Sequence, residues 1–325
     1  MLELNKIYNI DCLEGLKQLD DNSINCCVTS PPYWGLRDYG VEGQLGLEST
    51  PEEYVAKMVE VFREVKRVLR DDGTLWLNLG DSYVGGGGYS PGAPSNLKGS
   101  ISSHGAGRAG VKTKGIKPIS GLKSKDLVGI PWRVAFALQA DGWYLRSDII
   151  WHKPNAMPES VKDRPTRVHE YIFLLTKSGR YYYDADAIRE PHKEIDRRFG
   201  GDGTHCGTGV RYHNNAPKGV QRGAWLGQHS KGRNKRTVWT VTTKPFKEAH
   251  FATFPPDLIK PCILAGCPKD GIVLDPFMGS GTTGMVAAMY QRNFIGFELN
   301  QEYCKMAEKR IEPYLMQQTI FELQR

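Results

Sequence analysis

Two short runs, about 245 positions apart in a 325-residue chain, carry the residue types that could do chemistry. The first is Ser30-Pro31-Pro32-Tyr33. Adjacent prolines fix φ and remove two N–H donors, leaving a stiff display of carbonyl acceptors. The Ser30 hydroxyl adds another acceptor, and Tyr33 and Trp34 add aromatic faces. Rigid acceptors beside a π-face suit a planar base with an exocyclic amine, since the amine donates and the ring stacks for roughly 1–3 kcal/mol. Standing alone, the run reads first as a proline-rich structural turn. The second run is Asp275-Pro276-Phe277-Met278-Gly279-Ser280-Gly281-Thr282-Thr283-Gly284. Its glycines fit the GxGxxG spacing, and Glu298 follows Gly279 by 19 positions. A glycine turn between strand and helix lets backbone approach a ligand, and a later acid can accept two ribose hydroxyls. A nucleoside-containing cofactor is expected, against the plainer reading of a tight turn with a capping acid. A carboxylate at Asp275 would repel a pyrophosphate but suits a sulfonium and an α-ammonium. S-adenosylmethionine is therefore favoured over NAD.

Both runs need strands that end where they begin. Ile24–Val28 is a short apolar run that stops at the first turn, and Ile272–Leu274 stops at the second. Thr50-Pro51-Glu52-Glu53 combines a capping box with proline at the first helical position, and Tyr54, Met58, Val61, Val65 and Val68 then share one face. Asp71-Asp72-Gly73 ends that helix, and Thr74–Leu79 reads as the next strand. Further strands are expected at 143–151, 171–177 and 294–297, with helices at 130–140, 256–265, 282–291 and 301–311. A turn at Ser178-Gly179 predicts an antiparallel hairpin between 171–177 and Arg180–Tyr183. Alternating strands and helices predict an α/β fold, a Rossmann-like and mostly parallel sheet with helices on both faces.

Composition narrows the partners. Hydrophobic residues make up 40% and charged residues 24%, an ordinary balance for a soluble globular domain. No apolar stretch nears the roughly 20 residues that span a bilayer, and no basic flank with an apolar core opens the chain, so a cytoplasmic protein without membrane attachment is expected. Seven cysteines stand scattered with no CxxC pair, which suits reduced thiols and offers no metal site. The net charge of +7 is concentrated: residues 81–125 and 181–250 each carry +6, leaving the rest acidic by 5. Residues 84–125, rich in Gly, Ser and Lys, read as a long basic loop. Residues 185–250 show little periodicity and read as an irregular basic insertion. Two basic segments on an acidic body fit a polyanion.

Together, Thr29-Ser-Pro-Pro-Tyr-Trp34 and Asp275-Pro-Phe-Met-Gly-Ser-Gly-Thr-Thr283 resemble the amino-methyltransferases of DNA. The catalytic motif comes first and the cofactor motif last, as in the circularly permuted β group of that family. The resemblance implies that Ser30, Pro31, Pro32 and Tyr33 hold the target amine. It implies that Asp275, Pro276, Phe277, Gly279, Gly281 and Thr282 hold the cofactor, with Glu298 on its ribose and Asp11 near its adenine. Trp151-His152-Lys153, with Trp34, would help receive the flipped base, and His250–Pro255 would lead into the cofactor site. Residues 1–184 and 251–325 would form the catalytic domain, and 185–250 the target-recognition region. Serine at the first motif position, where many adenine enzymes have Asp, favours cytosine.

The expected function is site-specific methylation of cytosine N4 in double-stranded DNA by base flipping, with adenine N6 as the alternative. A non-catalytic nucleotide-binding DNA reader is the more distant one. A duplex target base must leave the stack at a cost of a few kcal/mol, and contacts to phosphates would offset it. The cations offered for that are Arg197, Arg198, Arg222, Lys231, Arg233, Lys235 and Arg236. A companion restriction endonuclease and a homodimer complete the expected partners.

Overall fold

A computed structural model describes residues 2–36, 40–84, 121–191, 231–243 and 254–323. The chain divides into a larger unit, Met1–Tyr183 with Thr237–Arg325, and a smaller one, Asp184–Arg236. In chain order the larger unit contains β1 (Lys6–Tyr8), α1 (Cys12–Lys17), β2 (Ile24–Thr29), α2 (Pro51–Val68) and β3 (Leu69–Leu79). Then come α3 (Ile130–Ala140), β4 (Tyr144–His152), β5 (His169–Thr176) and β6 (Val238–Thr240). The last are α4 (Pro256–Gly266), β7 (Ile272–Asp275), α5 (Thr282–Met289), β8 (Asn293–Phe297) and α6 (Gln301–Leu323).

Among the described residues, one eight-stranded sheet runs in the order β1-β8-β7-β2-β3-β5-β4-β6. β5 is antiparallel to both neighbours, and the other pairings are parallel. The mostly parallel α/β fold expected from the sequence is present. Chain connectivity turns one way from β2 to β3 and the other way from β7 to β8. β2 and β7 are paired directly, Cys26 opposite Val273 and Cys27 opposite Leu274. This pair is the topological switch point, where ligands of doubly wound sheets bind beyond the carboxyl ends of the strands.

Local chemistry explains the flanking elements. Thr50 caps α2 by accepting from Glu53 N at 3.2 Å, and Glu53 accepts in return from Ser49 N at 3.0 Å. The face of α2 that is buried holds Tyr54, Met58, Val61, Phe62, Val65 and Val68. Asp71, Asp72 and Gly73 do not separate α2 from β3. They lie within β3 as an irregularity, since Ile24 pairs with Leu69 but Cys26 pairs with Thr74.

The expected hairpin is elsewhere. β5 pairs with β3 and β4, and Arg180–Tyr183 forms no strand. Tyr182 N instead donates to Asp72 O at 2.8 Å, and Tyr183 stacks on Trp76 with centroids 6.4 Å apart. Part of the expected insertion also belongs to the sheet, because β6 pairs with β4 through Trp239 and Trp151. α6 runs well past the expected 311, through Pro313.

Candidate active site

All eight strands meet at one end of the sheet, where β1, β2, β3, β4, β6, β7 and β8 finish and antiparallel β5 begins. Just beyond β2 stand Ser30–Tyr33, beyond β7 the glycine turn, beyond β8 Glu298, and beyond β1 Asp11. These groups line a single cavity of about 390 Å³, which Ser30, Pro31, Pro32 and Tyr33 share with Pro276, Phe277, Gly279, Thr282 and Glu298. The two distant runs thus face one space.

On the β7 side the turn is tied from several directions. Gly281 precedes α5 with φ 79°, and a Cβ there would lie 2.7 Å from Ala307 Cβ. Only glycine fits such a left-handed, close-packed position. Gly279 has φ 52°, a Cβ there would meet only Phe277 O at 3.9 Å, and the residue lines the cavity. Gly279 N donates to Glu298 Oε2 at 2.8 Å, and Asn300 N donates to Glu298 Oε1 at 2.8 Å. Each carboxylate oxygen keeps a second lone pair for a hydroxyl. Burial pushes the Glu298 pKa up, and these N–H donors oppose the shift. Asp11 caps α1 through Leu13 N at 2.9 Å and reaches the same cavity. Arg310 Nη1, from α6, donates to Ser280 O at 3.1 Å and Thr282 Oγ1 at 2.9 Å. Backbone exposed by glycine, two carboxylates and the Phe277 ring suit the amino, ribose and adenine parts of a nucleoside ligand.

Asp275 departs from expectation. It is 1% exposed and does not line the cavity. Oδ1 accepts from Thr29 Oγ1 at 2.6 Å and Phe277 N at 3.0 Å, and Oδ2 accepts from Thr283 Oγ1 at 2.6 Å. Burial nevertheless pushes its pKa up to about 6. The carboxylate clips β2 to the turn and has no face towards a ligand.

On the β2 side the proline turn is braced. Tyr54 Oη donates to Pro32 O at 2.9 Å. Tyr33 lies against Gly80, where an added Cβ would be 2.5 Å from its Cε2. The Tyr33 hydroxyl donates to Glu170 Oε2 at 2.8 Å or Asn78 Oδ1 at 3.0 Å, and Ser30 Oγ donates to it at 3.4 Å. Burial first, then the Glu170 charge, hold the phenol pKa well above its ordinary value. Glu170 also pairs with Lys153 Nζ.

Of the residues expected around the target base, Lys153 lines the cavity and the three others do not. Trp34 is buried and donates through Nε1 to Glu48 O at 2.9 Å. Trp151 is buried in the sheet and donates to Val241 O at 2.8 Å, because its place in β4 points it into the packed face. His152 Nδ1 lies 3.2 Å from Thr240 Oγ1. Of the expected phosphate contacts, Arg197, Arg198 and Arg222 lie outside the described residues, as do most of 84–125 and residues 250–253 of the His250–Pro255 segment. In the smaller unit, Lys231 pairs with Asp186 at 2.9 Å, and Arg233 and Lys235 pair with Glu190 at 3.2 and 3.5 Å. The hydrogen bonds from Arg189 and Lys231 draw the Asp186 pKa down to about 2. These cations are therefore matched by acids inside their own unit.

The sequence reading missed Asn78, Asp81, Arg167, His169 and Glu170. Asp81 caps α3, accepting from Gly129 N at 2.9 Å and Ile130 N at 3.0 Å. His169 and Glu170 open β5, one or two positions before the apolar run that marked it.

The sheet order, with turns at the β2–β7 switch point facing one cavity, defines a doubly wound, Rossmann-like class. A family model described as DNA methylase, of the N6/N4 methyltransferases, matches residues 24–309. The chain is 48% identical over 316 residues to the Type II methyltransferase M.Cfr9I of Citrobacter freundii, covering 96% of this chain and 89% of that one. It is 46% identical to M.SmaI of Serratia marcescens, covering 94% and 90%. Among solved structures, the PvuII DNA methyltransferase, described as cytosine-N4-specific, superposes with a TM-score of 0.60 at 19% identity, covering 94% and 85%. TTHA0409 of Thermus thermophilus, solved with S-adenosyl-L-methionine, gives 0.56 at 22% identity, covering 95% and 93%. The chain belongs to the N6/N4 family of DNA methyltransferases, enzymes that take their methyl group from S-adenosyl-L-methionine. No helix among the described residues is long and apolar enough to cross a membrane.

Proposed function

We propose that the protein methylates the N4 amine of cytosine at a specific sequence in double-stranded DNA, on a base rotated out of the helix. The observation that carries this reading is the single cavity shared by the Ser30–Tyr33 turn and the glycine turn. S-adenosyl-L-methionine supplies an electrophilic methyl group. Asp11, Phe277, Gly279 and Glu298 would hold it, with Glu298 on the ribose hydroxyls.

The target amine is a poor nucleophile because its lone pair is delocalised into the ring. Ser30 Oγ and the Pro31 carbonyl would accept its hydrogens and draw the nitrogen towards a tetrahedral shape. Tyr33 would stack on the ring. Prolines and the Tyr54 brace hold these acceptors before the base arrives, which is where preorganised positioning gains its effect. Serine at position 30 supports cytosine over adenine.

The basic segment 185–250 would read the DNA sequence, with Arg197, Arg198, Arg222 and Arg236 among the cations offered to phosphates. The 84–125 loop would run along the duplex. Type II relatives support a companion endonuclease of the same specificity, and the reading includes a homodimer acting in the cytoplasm.

The test is transfer of tritiated methyl to duplex DNA, followed by mass spectrometry of its nucleosides. N4-methylcytosine is the expected product, and N6-methyladenine would overturn the cytosine assignment. Ser30→Ala should lower transfer about 100-fold while cofactor binding persists. Unchanged turnover would remove the proline turn from the site.

A further inference from the structure

We propose that the proton shed by the target amine leaves through a relay of hydroxyls, from Ser30 to Tyr33 to the carboxylate of Glu170. The inference rests on the proposed placing of the amine at Ser30 and goes beyond it, because it gives Glu170, Asn78 and Lys153 a part in the reaction.

The chain of contacts is continuous. Ser30 Oγ donates to Tyr33 Oη at 3.4 Å, and Tyr33 Oη donates to Glu170 Oε2 at 2.8 Å. The first distance is long for a hydrogen bond between hydroxyls, as catalytic contacts often are before the reacting complex tightens them. The far end is built to receive charge. Lys153 Nζ pairs with Glu170 Oε1, and Asn78 Nδ2 approaches Oε2 at 3.4 Å. Asn78 Nδ2 also donates to Tyr171 O at 3.0 Å, which turns its Oδ1 towards Tyr33. The single Tyr33 proton can thus rest on Asn78 and swing to Glu170 by rotation about one C–O bond. The side chains of Lys153 and Glu170 are 19% and 16% exposed. Both reach the cavity, so a proton delivered to Glu170 can return to solvent there. Tyr33 holds its own proton too tightly to be a terminal base, so it must pass on what it receives.

The step balances. As the amine nitrogen forms its N–C bond, the sulfur keeps the electron pair of the broken S–C bond. The nitrogen is left with a positive charge and a surplus proton. That proton moves to Ser30 Oγ, the Ser30 proton to Tyr33 Oη, and the Tyr33 proton to Glu170 Oε2. The products are a neutral N-methyl amine, two restored hydroxyls and a neutral carboxylic acid. Glu170 acts through Tyr33 and Ser30 and is a positioning residue, whereas Tyr33 also stacks on the target ring.

Glu170→Gln keeps an acceptor for Tyr33 but removes the base, and Tyr33→Phe keeps the ring but cuts the chain. Single-turnover methyl transfer should fall about 100-fold in each variant, with cofactor and DNA affinities held within about twofold. The double variant should be no slower than the slower single one, since both interrupt one path. Glu170→Asp, which restores a carboxylate, should recover part of the rate that Glu170→Gln loses. Wild-type turnover in Glu170→Gln overturns the relay, and so does a Glu170→Asp rate no higher than that of Glu170→Gln. If Ser30→Ala is inactive in the same assay while Tyr33→Phe and Glu170→Gln are not, the relay alone fails. If Ser30→Ala is also fully active, the assignment of the site fails with it.

Discussion

Replacing Asp275 by Asn should stabilise the protein near neutral pH, and the gain should vanish in mild acid. The carboxylate is buried under the glycine turn, and three hydrogen bonds do not offset its desolvation, so its pKa stands at about 6 against an ordinary 3.8. The raised value fixes the sign. Between these limits the folded chain keeps a proton that the unfolded chain has released, so stability falls as pH rises from about 4 to about 6. At 1.36 kcal/mol per pH unit, ionised Asp275 costs the fold about 3 kcal/mol at pH 7 and about 1 kcal/mol at pH 4.5. The amide of the variant cannot ionise and escapes this term at both. It also rearranges the Thr283 hydrogen bond, a cost of about 1 kcal/mol that does not change with pH. The stability difference between variant and wild type should therefore grow by about 2 kcal/mol from pH 4.5 to pH 7.5. Urea unfolding of both proteins at the two pH values reads this directly. A difference that stays flat, or widens towards acid, would refute the account of Asp275 as a buried clip that is costly when charged.

Two further outcomes follow from the same contacts. Arg310→Met keeps an apolar stem against the turn but releases Ser280 and Thr282, so cofactor affinity should fall about 10-fold by calorimetry with DNA affinity unchanged. An unchanged cofactor affinity would show that the turn holds its shape without α6. Trp34→Phe should cost about 1–3 kcal/mol of stability, from a smaller ring and the lost bond to Glu48 O, while methyl transfer by the folded enzyme stays near wild type. A strong loss of transfer with unaltered stability would return Trp34 to the target base.

Much of the fold was legible because its signals are local. The cap at Thr50, the apolar face from Tyr54 to Val68 and the glycine turn each depend on residues a few positions apart. What failed depended on distant partners. β6 is three residues long, and its place beside β4 rests on Trp239 and Trp151 pairing across 88 positions. β5 carries the right apolar run, but nothing in that run states its direction. Ser178-Gly179 offered a turn that a hairpin could use, while Trp76 offered Tyr183 a better surface to stack on.

The site divides in the same way. Residues that shape backbone, such as Pro31, Pro32, Gly279 and Gly281, could be read from type and spacing because their conformational effects are intrinsic. Charged residues could not. Asp275 looks like a ligand for a positive centre, and only the packing of Thr29 and Thr283 around it reveals that it is buried away from the cavity. Glu170 is the reverse case. In the sequence it is one acid before a strand, yet the antiparallel direction of β5 delivers the start of that strand to the edge where the parallel strands end. Had β5 run parallel, the carboxylate would lie at the far end of the sheet, and Tyr33 would face the cavity with no base behind it.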